Sequence, residues 1–159
     1  MLDRIGAALR EGAFDPQHAG ELFLRSDAAK AIASALPDAR VQVNGKDEVR
    51  GVGFMGARFT PDLVVESGGQ QAAVTITLLR GDASPVTTAL AGALVLAARY
   101  PAVVAFILDR RLAKRNPFDD PSDAPAQREL SDSEKSLIDQ LGKRHNVQVV
   151  VRQQDPFGW

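Results

Sequence analysis

The chain has 159 residues, 45% hydrophobic and 25% charged, which suffices for one compact domain with a real core and leaves no room for a second of any size. Its 19 Lys and Arg against 20 Asp and Glu give no overall pull toward a polyanion, so nucleic-acid contact would need a local basic patch. With no cysteine, disulfides, thiolate metal sites and thiol nucleophiles are excluded.

The opening MLDRIGAALREGAFDPQ carries acids early and lacks the apolar core of a signal peptide. Leu2, Ile5, Ala8 and Leu9 share one helical face, and Gly12 is placed to end that helix. A second helix is expected over DPQHAGELFLRSDAAKAIASALP, with Asp15 as N-cap, Pro16 in the first turn and Pro37 as the stop. ARVQVNGKDEVRGVGF alternates around Val41 and Val43, and its Asn44-Gly45 pair is a hairpin signal. PDLVVE and QAAVTITLL flank Ser67-Gly68-Gly69-Gln70 and predict a further hairpin. In it Val74, Ile76 and Leu78 share one face, while Thr75, Thr77 and Leu79 take the other.

SPVTTALAGALVLAARY, with Ser84 as N-cap and Pro85 at the first helical position, is apolar nearly all round, which predicts a buried helix. AVVAFILD is a continuous apolar run suited to a central strand, and Arg99 and Pro101 separate it from the helix, against a membrane span. Residues 111–130, rich in Pro and Asp, predict a surface loop. Ser131-Asp132-Ser133-Glu134 offers a capping box for a helix ending near Gly142 to His145, and VQVVVRQ closes as a strand. The whole reads as a single α/β domain over residues 1–159 with a mixed β-sheet, because a helix connects the later strands. The expected location is the cytoplasm.

With Pro61-Asp62 at the head of a strand hairpin, AVTITLLRG on its second arm and a helix before and after, the chain resembles the restriction-endonuclease-like, or PD-(D/E)xK, nuclease superfamily. The resemblance covers roughly residues 15–110 by element order and is most specific over residues 60–81. It implies a restriction-endonuclease-like three-layer α/β fold with a central mixed β-sheet flanked by helices, in which Asp62 stands at the Pro-Asp position and Thr75 and Thr77 stand where the family has an acid and a lysine. Glu21 would be the first-helix carboxylate. It further implies a site that once held Mg²⁺ against a scissile phosphate, where the metal activates water.

Thr75 has a neutral hydroxyl and supplies no anionic ligand, and Thr77 supplies no fixed positive charge. Loss of one such group commonly costs on the order of 10²- to 10³-fold in rate. Glu66 shares a strand face with Asp62 but sits roughly 13 Å away, too far to share a metal. The helix that follows, from Ser84 to Arg99, has neither an acid nor a lysine. The expectation is therefore a nuclease-like fold without nuclease activity, holding no metal and no other cofactor. Plainer readings stand beside this one: Asp62 as a turn residue, Thr75 and Thr77 as good strand formers, Glu21 as a solvated helix residue.

The dense basic cluster Arg110, Arg111, Lys114 and Arg115 is a candidate phosphate contact, to which Arg80, just past the threonine strand, could add, or a solvated loop balanced by Asp119, Asp120 and Asp123. Phe157 and Trp159, in an aromatic tail over residues 155–159, are expected to pack on the domain or on a neighbouring subunit. His18 and His145 read as surface or capping residues. Two partner classes follow: DNA or RNA in a retained cleft, as in an accessory protein of nucleic-acid processing or defence, or a protein partner, including a second copy of the chain.

Overall fold

The computed structural model describes residues 1–111, 118 and 129–154. Among the described residues, four helices and seven strands follow in the order α1 (Leu2–Glu11), α2 (Glu21–Ala35), β1 (Arg40–Val43), β2 (Val52–Phe54), β3 (Ala57–Phe59), β4 (Leu63–Ser67), β5 (Gln70–Leu79), α3 (Ser84–Leu96), β6 (Ala102–Asp109), α4 (Asp132–His145) and β7 (Val147–Gln153). Five strands form one mixed sheet in the order β1-β4-β5-β6-β7. The first three pair antiparallel and the last three parallel.

Period-two alternation along the strands divides the core between two faces. Val65, Val74, Val104, Phe106 and Leu108 pack under α1 and α2 against Ile5, Leu9, Leu24, Ala28 and Ile32. Val64, Ala73, Val103, Ala105 and Ile107 face the other way, toward α3 and α4, where Ala93, Leu96, Ile138 and Leu141 meet them. The two parallel crossovers each step one strand over in the same direction, so a uniform crossover hand puts α3 and α4 on one face. β6 carries hydrogen-bonded neighbours on both sides and is buried from Val103 to Asp109, as its apolar run predicted.

Local signals were realised where nothing distant competes with them. Gly68 and Gly69 have φ of +58° and +77°, the left-handed pair of a two-residue hairpin turn, and Leu63 to Ser67 pair with Gln70 to Val74 around them. Ser131 and Glu134 form the reciprocal capping box at the start of α4, whose end is capped by Asn146 at φ +53°.

Four expectations are corrected. α2 starts at Glu21 rather than after Asp15, because Asp15 is held in a separate turn: its Oδ1 accepts from the Gln17 N–H, while its N–H donates to Asp27 and its carbonyl accepts from Arg110. Asn44-Gly45 makes a tight turn, but not a hairpin between β1 and β2: β1 pairs with β4, and β2 pairs with β3 across Met55-Gly56. Asp47 Oδ2 instead takes the Val43 N–H and folds the turn back on the end of β1. Finally, α3 is not a buried helix. Only Ala93 and Leu96 are buried, since an outer-layer helix meets the sheet along one stripe and the rest of its apolar surface stays outside. Ser84 is its first residue and Ala83 its N-cap; the Ser84 N–H and hydroxyl both bond Asp82 Oδ1.

Among the described residues no helix is long and apolar enough to cross a membrane.

Candidate functional site

β5 is ten residues long, but β4 accompanies it only from Gln70 to Val74. Beyond Val74 the partner chain turns away at Asp62, and a cleft of about 630 Å³ opens along Thr75 to Leu78. Glu21, Leu24 and Arg25 of α2 form one wall. Pro85, Thr88, Ala89 and Gly92 of α3 form the other, and Arg58, Phe59 and Thr60 close one end. Phe59 lies 3.7 Å from the point where a Gly92 Cβ would stand, so the small β2–β3 sheet rests on α3 at the cleft. The Tyr100 hydroxyl, donating to the Arg50 carbonyl at 2.6 Å, anchors the segment that leads into it.

Asp62 sits at the point where β4 ends. Its N–H donates to the Val74 carbonyl, its carbonyl accepts from the Asn44 N–H, and its Oδ2 accepts from the Ile76 N–H at 2.7 Å. The carboxylate thus replaces the ladder bond that a longer β4 would make. Its other oxygen accepts from Arg25 Nε at 2.6 Å. Arg25 spreads its remaining nitrogens to the Asn44 carbonyl at 3.2 Å and to Glu21 at 3.3 Å. Burial pushes the Asp62 carboxyl above the ordinary aspartate value, and the Ile76 and Arg25 hydrogen bonds pull against that shift.

All four residues assigned to a vestigial nuclease site, Glu21, Asp62, Thr75 and Thr77, line this one cleft. Their chemistry does not fit a divalent metal. Both Asp62 oxygens already accept hydrogen bonds, one of them from the Arg25 guanidinium, and Thr75 and Thr77 bring no charge. The Glu21 side chain is exposed and leans on Arg25. The Thr75 hydroxyl is buried without a hydrogen-bond partner. Glu66 is drawn off to the far end of β4, where it faces Gln71.

Two residues of the basic cluster, Arg110 and Arg111, are taken up in bonds within the protein. Arg110 is 4% exposed, and its guanidinium donates to Gln154 Oε1 and the Asp15 carbonyl at 2.9 Å each and to the His18 carbonyl. It ties the turn before α2 to the ends of β6 and β7 and offers no charge to solvent. Arg111 is held on Asp109 through Nε and Nη2 at 2.9 and 2.8 Å. Arg80 is exposed beyond the end of β5. Lys114, Arg115, Phe157 and Trp159 lie outside the described residues, as do most of residues 111–130 and the tail over 155–159.

Sequence reasoning missed Arg25. Its spacing of four from Glu21 was legible as a helical ion pair, but its contact with Asp62 joins residues 37 apart and has no local signal. It also missed the partnership of His18 with buried Asp27, at 2.8 Å, on which Phe23 stacks with ring centroids 4.9 Å from the imidazole.

No protein-family model matches the chain, and neither does any curated protein or solved structure.

Proposed function

We propose that this protein is a restriction-endonuclease-like module without nuclease chemistry, working by holding a protein partner in the cleft beside β5. The observation that carries the reading is the Arg25–Asp62 pair. A nuclease of this kind needs the Pro-Asp carboxylate for a divalent ion, and here a guanidinium neutralises it in place. The element order around Pro61-Asp62 supports the family; Thr75 and Thr77 at the remaining positions support the loss of catalysis.

Between the two partner classes, the charge layout favours protein. The cleft carries Glu21 and Asp62 against Arg25 and Arg58, a balanced lining with no net attraction for a phosphodiester chain. Arg110 is buried and Arg111 is paired, so two residues of the expected phosphate-binding cluster are spent inside the fold. The nucleic-acid reading, an accessory protein that binds DNA or RNA without cutting, keeps one observation in its favour: Arg58 is exposed at the cleft, and Arg80 is exposed just past the end of β5.

Fluorescence anisotropy of labelled single- and double-stranded DNA and RNA, at low and high salt with and without Mg²⁺ or Mn²⁺, decides the matter. No binding and no cleavage is the expected result. Salt-sensitive binding would restore the nucleic-acid reading, and metal-dependent cleavage lost in Asp62→Ala would overturn both.

A further inference from the structure

We propose that the open edge of β5 is a strand-addition site that takes an extended peptide segment of a protein partner, an inference that rests on the protein-partner reading above.

The backbone directions along β5 follow from the bonds at its two margins. On the β4 side the Val74 carbonyl accepts from Asp62 and the Ile76 N–H donates to the Asp62 carboxylate. On the β6 side the Leu79 carbonyl accepts from the Arg110 N–H. Even-numbered residues therefore point their N–H and C=O toward β4 and its prolongation, and odd-numbered ones toward β6. Among the described residues no strand pairs with β5 past Val74 on the β4 side. The Ile76 carbonyl and the Leu78 N–H and carbonyl are left facing the cleft. These are an acceptor, a donor and an acceptor at the spacing of an antiparallel or parallel partner strand, over about 7–10 Å.

A free strand edge is a template for another chain, and folds commonly blunt it with charge, proline or a bulge. Here Asp62 caps the Ile76 N–H alone, while residues 75–79 themselves carry neither charge nor proline, reading Thr-Ile-Thr-Leu-Leu, and the strand stays in register with β6 to Leu79 and Asp109. It is set inside a walled groove rather than on the sheet's outer margin. The walls suit a peptide. Ala89 and Gly92 leave shallow room on the α3 side, Leu24 offers an apolar contact on the α2 side, and the balanced charges fit a neutral amide backbone better than a polyphosphate. Asp62 ends the groove, because its carboxylate has already taken the Ile76 N–H.

The test selects short random peptides displayed on phage against the immobilised full chain. Binding of a selected peptide is then measured by anisotropy against wild type and Leu78→Pro. Proline at this position removes an N–H that faces the groove and leaves the β6 ladder whole, the placement in which strands tolerate it. The expected result is about tenfold weaker binding to Leu78→Pro, the loss of one main-chain hydrogen bond. N-methylation scanned along the peptide is expected to weaken binding at every second residue only. A selection that yields no peptide, a scan without alternation, or full binding by folded Leu78→Pro overturns the proposal. If Leu78→Pro fails to fold, the N-methyl scan decides alone. A peptide that binds without alternation sinks the strand edge while sparing the protein-partner reading, whereas salt-sensitive binding of DNA or RNA in the preceding experiment sinks that reading itself.

Discussion

Arg25 Nε and Asp62 Oδ1 stand 2.6 Å apart, and both side chains are largely buried, so the second helix is bolted to the β4–β5 hairpin by a charge-assisted hydrogen bond. Truncating one partner leaves the other buried and unsatisfied, which costs more than the net value of the bond. Arg25→Ala is expected to lower stability by about 2 kcal/mol in urea unfolding, with Arg25→Lys intermediate because an ammonium cannot span Asp62, Asn44 and Glu21 together. Neither variant gains Mg²⁺-dependent cleavage, since Thr75 and Thr77 still supply no charge.

The pH dependence of the same carboxyl has a definite sign. Burial is the largest influence on Asp62 and raises its value, so the folded chain keeps this proton to higher pH than the unfolded chain does. Its contribution to stability is full below the ordinary aspartate value and is lost as pH rises through the raised one. The stability of wild type relative to Asp62→Asn should therefore fall as pH rises over the window from the ordinary aspartate value to the raised one, read from urea midpoints. A rise over that window would mean that the Arg25 charge outweighs burial. Removing Arg25 should move the Asp62 titration further upward, which carbon NMR of the carboxyl can follow.

The surface position of α3 gives a contrast within one helix. Leu96 is 1% exposed and packs on the sheet, whereas Leu94 is 40% exposed. Leu96→Ala should cost about 2–5 kcal/mol through lost burial and a cavity. Leu94→Lys should stay within about 0.5 kcal/mol of wild type. Equal losses for the two, measured by chemical denaturation, would argue that the helix is covered on both sides.

Arg110 should behave as a core residue despite its charge. Its guanidinium satisfies carbonyls of Asp15 and His18 and the amide of Gln154, so Arg110→Met is expected to destabilise by about 3 kcal/mol. Burial also draws its pKa below the usual arginine value. Arg58→Gln, on an exposed side chain, should leave the unfolding midpoint nearly unchanged.

What the sequence determined by itself is what neighbouring residues decide among themselves. Gly68-Gly69 between two apolar arms dictates a hairpin, Ser131 and Glu134 dictate a helix start, and the run from Ala102 to Leu108 has no place except between two other strands. The alternation of Val74, Ile76 and Leu78 with Thr75, Thr77 and Leu79 likewise assigned each to its face before any tertiary contact was known. Tertiary structure decided the rest, because each outcome turned on a group far away in the chain. Asn44-Gly45 lost its hairpin when β4 paired with β1; Asp15 lost its helix to Arg110 and Asp27. α3 looked buried because apolar composition reports only the preference for burial, while the single sheet face available decides how much of it is met. Asp62 was legible as a residue of interest, but its role was set by Arg25, 37 positions earlier, and by the Ile76 N–H that a shorter β4 left without a partner strand.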